Sequence, residues 1–145
     1  MTQRADTLAA LARTEDAQAA LRQMLRPVNR SRLDERPPSG EWSPMENVRH
    51  LIFAEQHHFS PYLERGFRWS SVGVAPPNRT GERRLNSVGS DPATTVDDVF
   101  DAWAKVHGVV RALALEPPYE LTRDLEGDLK HLNLHSKTIE RLLRG

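Results

Sequence analysis

Ser43-Pro44-Met45-Glu46-Asn47-Val48-Arg49-His50-Leu51-Ile52-Phe53-Ala54-Glu55, running on toward Gly66, is the stretch whose reading decides the fold class. Ser43 can cap a helix, Pro44 fits the first helical position where no N–H is needed, and Glu46 at the third position can close a capping box. Met45, Val48, Leu51, Ile52, Phe59 and Tyr62 then form an apolar stripe, and Gly66 offers a C-terminal stop. The pattern predicts a helix from 44 to about 66.

Upstream, the polar stretch from Asn29 to Gly40 contains Pro37-Pro38 and is expected to be a connecting loop that delivers Trp42 to this helix. Before it, residues 5–26 are rich in Ala, Leu, Arg, Gln and Glu. Leu8, Leu11, Leu21, Met24 and Leu25 recur there near helical spacing, and Pro27 stops the run. Downstream, Phe67 to Pro92 carries three prolines and three glycines with no sustained period, which predicts a long crossover.

A third helix should begin at Thr95, with Asp98 three residues on. Val96, Val99, Phe100, Trp103, Val106, Val110 and Leu113 follow helical spacing as far as Glu116-Pro117-Pro118. The last helix carries Leu125, Leu129, Leu132, Ile139, Leu142 and Leu143; its start lies between Thr122 and Asp128, because Gly127 interrupts the pattern. Strand-like alternation is missing from the sequence. The expectation is one all-α domain over residues 1–145, an up-and-down four-helix bundle with a long crossover between helices 2 and 3.

Composition narrows the function. Twenty basic and twenty acidic residues cancel, so the positive field that nucleic acid or anionic membrane requires is missing. With no cysteine, there can be no disulfide, thiolate nucleophile or Cys-rich zinc site, and metal chemistry must rest on His and carboxylates. The first residues lack the apolar core of a signal peptide, and no apolar run reaches the ~18 residues of a membrane span. The expectation is a cytoplasmic protein without nucleic-acid or membrane partners.

Six histidines remain to be weighed. His131 and His135 are i, i+4 and stack on one helix face about 6 Å apart along the axis, a spacing at which two imidazoles can chelate one ion. Six histidines placed at random would produce such a pair in roughly one chain in five, so spacing alone is weak evidence for a metal site and favours a pair of polar or satisfied core groups. His50 lies on the flank of its helix's apolar stripe, where a partly exposed polar role is usual. His57 lies about 10 Å further along the same helix, too far to share an ion with His50. His58 and His107 sit beside apolar stripes and read as hydrogen-bonded boundary groups.

Gly40-Glu41-Trp42-Ser43-Pro44-Met45-Glu46, followed by His50-Leu51 and Glu55, resembles the second-helix motif of the DinB/YfiT-like family, in which a Trp-Ser/Thr-Pro start precedes a metal-binding histidine. His131-Leu132-Asn133-Leu134-His135 is similar to that family's last-helix motif, whose two histidines complete a three-histidine site. The resemblance implies His50, His131 and His135 as ligands of one divalent ion. Where the family often has Gln three residues after the final histidine, this chain reads Ser136-Lys137-Thr138. Glu55 either supports a ligand or bound water, or is an inward carboxylate paired with an arginine.

Three neutral imidazoles suit Zn²⁺ or Ni²⁺ and leave coordination positions open for water or a small-molecule substrate. The resemblance further implies a metal-dependent enzyme acting with a low-molecular-weight thiol cosubstrate, as a transferase or isomerase, with a hydrolase in the same metal-dependent class. The alternative is a non-catalytic metal- or small-molecule-binding stress-response protein. A homodimer is expected from the resemblance and from Trp42, Phe53, Phe67, Trp69 and Trp103, more aromatic surface than one small core needs. The crossover, with Arg68, Arg79, Arg83 and Arg84, is expected either to border the metal pocket or to be a solvated basic loop.

Overall fold

The computed structural model describes residues 2–73, 95–116 and 119–144, which form helices with no strand among them. Helix α1 spans Thr2–Leu25. Its inner face is built from Thr7, Ala10, Leu11, Thr14, Leu21 and Leu25, whereas Leu8, expected inside, is 43% exposed. Beyond it, the segment expected as plain loop contains a one-turn helix, α2 (Arg30–Leu33). The Asn29 side chain caps it by accepting from the Ser31 N–H at 3.3 Å, which lets Leu33 reach the core and become fully buried.

Helix α3 spans Pro44–Phe59 and starts with both bonds of the capping box: Glu46 N–H to Ser43 Oγ at 3.1 Å, and Ser43 N–H to Glu46 Oε1 at 2.9 Å. Arg36 grips the same glutamate with a two-pronged contact at 2.8 and 2.6 Å. The helix stops seven residues before the Gly66 expected to end it. Pro61 has no N–H to continue the ladder, so the chain tightens into a 3-10 turn over Ser60–Tyr62, and Gly66 serves the following turn at φ 82°.

Helix α4 (Val96–Leu115) opens with the expected Thr95/Asp98 box, at 3.0 and 3.2 Å. Helix α5 (Thr122–Arg144) begins at the early end of its expected range and runs through Gly127. The Glu120 carboxylate accepts from the Thr122 N–H at 2.8 Å and closes that terminus.

Helix α1 packs on α4 and α5, and α3 packs on the same two, so the four long helices share one interior. That interior is layered. One apolar cluster gathers Leu21, Leu25, Met45, Ile52, Trp103 and Leu132, with Leu33 and Ile139; the other gathers Leu11, Phe59, Val110, Leu121 and Leu125. In each helix one buried polar residue lies in sequence between its contributions to the two clusters: Thr14 in α1, Glu55 in α3, His107 in α4 and Asp128 in α5. None of the described helices is long and apolar enough to cross a membrane.

Candidate metal centre

His50 comes from α3, and His131 and His135 from successive turns of α5. The packing of α3 on α5 brings them together so that one ring nitrogen from each lies within 4.8 Å of the others. Ring centroids are 5.3 Å apart for His50 and His131, 5.1 Å for His50 and His135, and 4.5 Å for His131 and His135. His50 is 8% exposed, more buried than its flank position suggested, because Trp42 covers it with ring centroids 4.8 Å apart.

The tautomer of His135 follows from the hydrogen-bond network. Asn47, one turn before His50 and 3% exposed, donates its amide N–H to the Ser43 carbonyl at 2.9 Å. Its Oδ1 must therefore face His135 Nδ1, 2.7 Å away, and accept from it. The lone pair of His135 then sits on Nε2, which points at His131 Nε2 across 3.1 Å. This is the arrangement in which a histidine binds a cation through one nitrogen while the other is held by an acceptor. Sequence reasoning missed Asn47; its only signal is its position three residues before His50. The stretch after His135 does not substitute for it, since the Thr138 hydroxyl bonds back to the Leu134 carbonyl.

Burial holds the His135 imidazole at a pKa of about 4, with the neighbouring His131 adding to the effect. His131 is lowered as well, by burial first and then by His58. Both rings are neutral at neutral pH, as metal ligands must be. The donor set, three nitrogens with one tautomer already oriented, fits a borderline divalent cation such as Zn²⁺ or Ni²⁺ better than an oxygen-seeking one.

The remaining histidines do other work. His57 stacks on Phe53 with centroids 5.5 Å apart, and His58 Nε2 is 3.4 Å from an Asp124 oxygen. His107 is buried and bridges two carboxylates, Glu55 at 2.9 Å and Glu15 at 2.8 Å. Burial pulls its pKa down, but the bonds and charges of Glu55 and Glu15 outweigh that and raise it. Glu55 is an inward carboxylate, as one of the two sequence readings had it, but its partners are not arginines. It accepts from Trp103 Nε1 at 2.9 Å, Gln18 Nε2 at 3.1 Å and His107, on the side of α1 and α4.

Beside the cluster is a cavity of about 280 Å³ lined by His50, Phe53, Ala54, His57, His58, Asp128 and His131. A wider groove along the outside of α5 touches the cluster only at His131. Trp69 stacks on Phe53 at 5.2 Å, and Gln56 anchors the same segment by donating to the Arg68 carbonyl at 3.1 Å and accepting from the Ser70 N–H at 2.8 Å. The first part of the expected crossover thus docks behind the cavity wall. Arg68 is exposed, and Arg79, Arg83 and Arg84 lie outside the described residues.

No curated protein and no solved structure matches the chain. The sequence model of one family does, over residues 13–139, a span that contains all three histidines of the cluster, Asn47 and the capping box of α3. The chain belongs to the DinB superfamily.

Proposed function

We propose that this chain is a divalent-metal enzyme whose ion, Zn²⁺ or Ni²⁺, is held by His50, His131 and His135, and that it transforms a small molecule with a low-molecular-weight thiol as cosubstrate, as a transferase or isomerase. The observation that carries this reading is the convergence of three imidazole nitrogens within 4.8 Å, one of them already oriented by Asn47. When bound, the ion would supply Lewis acidity and lower the pKa of a coordinated thiol or water. The chain's own part is to present neutral nitrogens, to screen one side of the cluster with Trp42, and to leave the adjoining cavity for the substrate. The ring of helix contacts supports an up-and-down four-helix bundle of one domain; the crossover from Phe67 to Pro92 is part of the same proposal.

Elemental analysis of protein purified without a histidine tag tests the premise. Near-stoichiometric metal is expected in the native chain and in His57→Ala and His107→Ala, with sharp loss in His50→Ala, His131→Ala and His135→Ala. Unchanged metal in His131→Ala would refute the assignment. A thiol-dependent turnover lost together with His131 would separate an enzyme from a protein that only binds. The proposed homodimer no longer rests on surplus aromatics, because Phe53 and Trp103 are buried within the chain and Trp69 packs on Phe53. A monomeric mass by light scattering at micromolar concentration would exclude it.

A further inference from the structure

Asp128 lies one helical turn before His131 and is 7% exposed, yet its side chain makes no hydrogen bond or ion pair with another described residue. Most side chains this buried are partnered within the protein; Asp128 instead keeps its oxygens open to the cavity it lines. The charges facing it are the Glu55 carboxylate from α3 and the His107 ring from α4. Gln18 and Glu15 of α1 spend their side chains on Glu55 and His107 rather than on Asp128. Burial, and then Glu55, push its carboxyl well above the ordinary carboxylate range, with His107 opposing. Asp128 lines the same cavity as His50 and His131, together with Phe53, Ala54, His57 and His58 of α3.

We propose that Asp128 is the ligand-binding group of this cavity, hydrogen-bonding the polar end of a compact uncharged molecule whose other end reaches the three-histidine cluster. The ligand class is a small thiol bearing a hydroxyl, amide or carbonyl a few bonds away; the inference rests on the metal and thiol reading above. The cavity volume of about 280 Å³ suits a small molecule. A carboxyl can both donate to and accept from a neutral polar group, whereas the Glu55 charge behind it disfavours an anionic one. The carboxyl that lacks a protein partner would gain one only when ligand is present.

The test uses cobalt(II)-loaded full-length protein and two probes, ethanethiol and 2-mercaptoethanol, followed by the sulfur-to-cobalt absorption. The hydroxyl should make 2-mercaptoethanol the tighter ligand, and Asp128→Ala should erase that advantage, a change of roughly fivefold for one neutral hydrogen bond. Ethanethiol affinity and cobalt content should stay unchanged. Asp128→Asn, which still donates and accepts, should keep most of the advantage. An advantage that persists in Asp128→Ala overturns the proposal and leaves the thiol reading standing.

A second arm needs no ligand. A carboxyl buried for ligand binding burdens the fold, so Asp128→Asn should raise the thermal midpoint at pH 7. A lowered midpoint would show Asp128 to be a structural partner of His107 and overturn the proposal. If neither thiol perturbs the cobalt spectrum, the thiol reading fails, and the direction of the midpoint shift decides the role of Asp128.

Discussion

Replacing Asn47 with Ala removes the single acceptor that orients His135 and leaves all three imidazoles in place. The lost contact is a 2.7 Å bond from Nδ1–H to a buried amide oxygen. An intramolecular hydrogen bond contributes about 1 kcal/mol net, and about 1.5–3 kcal/mol when one partner is charged, as an imidazole on a cation partly is. Partners of this kind typically tune metal affinity by about 10–100-fold, equivalent to about 1.4–2.7 kcal/mol, so the two scales agree. Asn47→Ala should therefore weaken Zn²⁺ binding by about one to two orders of magnitude in competition with a chromophoric chelator. It should also destabilise the fold by about 1 kcal/mol through the lost bond to the Ser43 carbonyl. Asn47→Asp separates the two effects. Its carboxylate accepts from His135 at least as well, but it has no N–H for Ser43, so metal affinity should be retained or raised while stability falls. Unchanged affinity in Asn47→Ala, or an equal loss in both variants, would refute the reasoning.

Glu55→Ala strips three donors of their acceptor inside the core and should cost about 3–5 kcal/mol in urea denaturation, with metal content per folded molecule unchanged. Metal loss from a still-folded variant would instead tie Glu55 to the metal centre. The depressed pKa of His135 sets a pH dependence of definite sign. Between its ordinary 6.5 and its folded value of about 4, the unfolded chain binds the extra proton, so this contribution is present above pH 6.5 and is lost as pH falls toward 4. Metal-free protein should thus lose more stability over that window than His135→Gln does, and bound metal should be released as pH falls through the same range. A flat difference between the two proteins across the window would contradict the sign.

The starts of α3 and α4 and most of the inward stripes, Leu8 excepted, are legible in the sequence. Ser43-Pro44-Met45-Glu46 and Thr95 with Asp98 form the expected caps because a capping box is closed by hydrogen bonds that span only three residues. His131 and His135 share a face because 3.6 residues make a turn, whatever surrounds the helix. The short turn at Arg30–Leu33 and the early end of α3 were local too. In sequence Asn29 reads as loop polarity although its side chain caps Arg30–Leu33, and Gly66 reads as the stop although Pro61, lacking an N–H, already ends the ladder.

Only the tertiary structure decided what meets what. Asn47 and His135 are 88 residues apart, and Glu55 and His107 are 52 apart; their contact depends on the rotation and height at which α3 settles against α5 and α4. A helix wheel places Glu55 inside without saying whether it faces the histidines or Trp103. Asp128 appears in sequence as one more acidic residue after a glycine. Its burial beside the cluster comes from the docking of α5, because hydrophobic packing is non-directional along the chain and is settled by the whole interface at once.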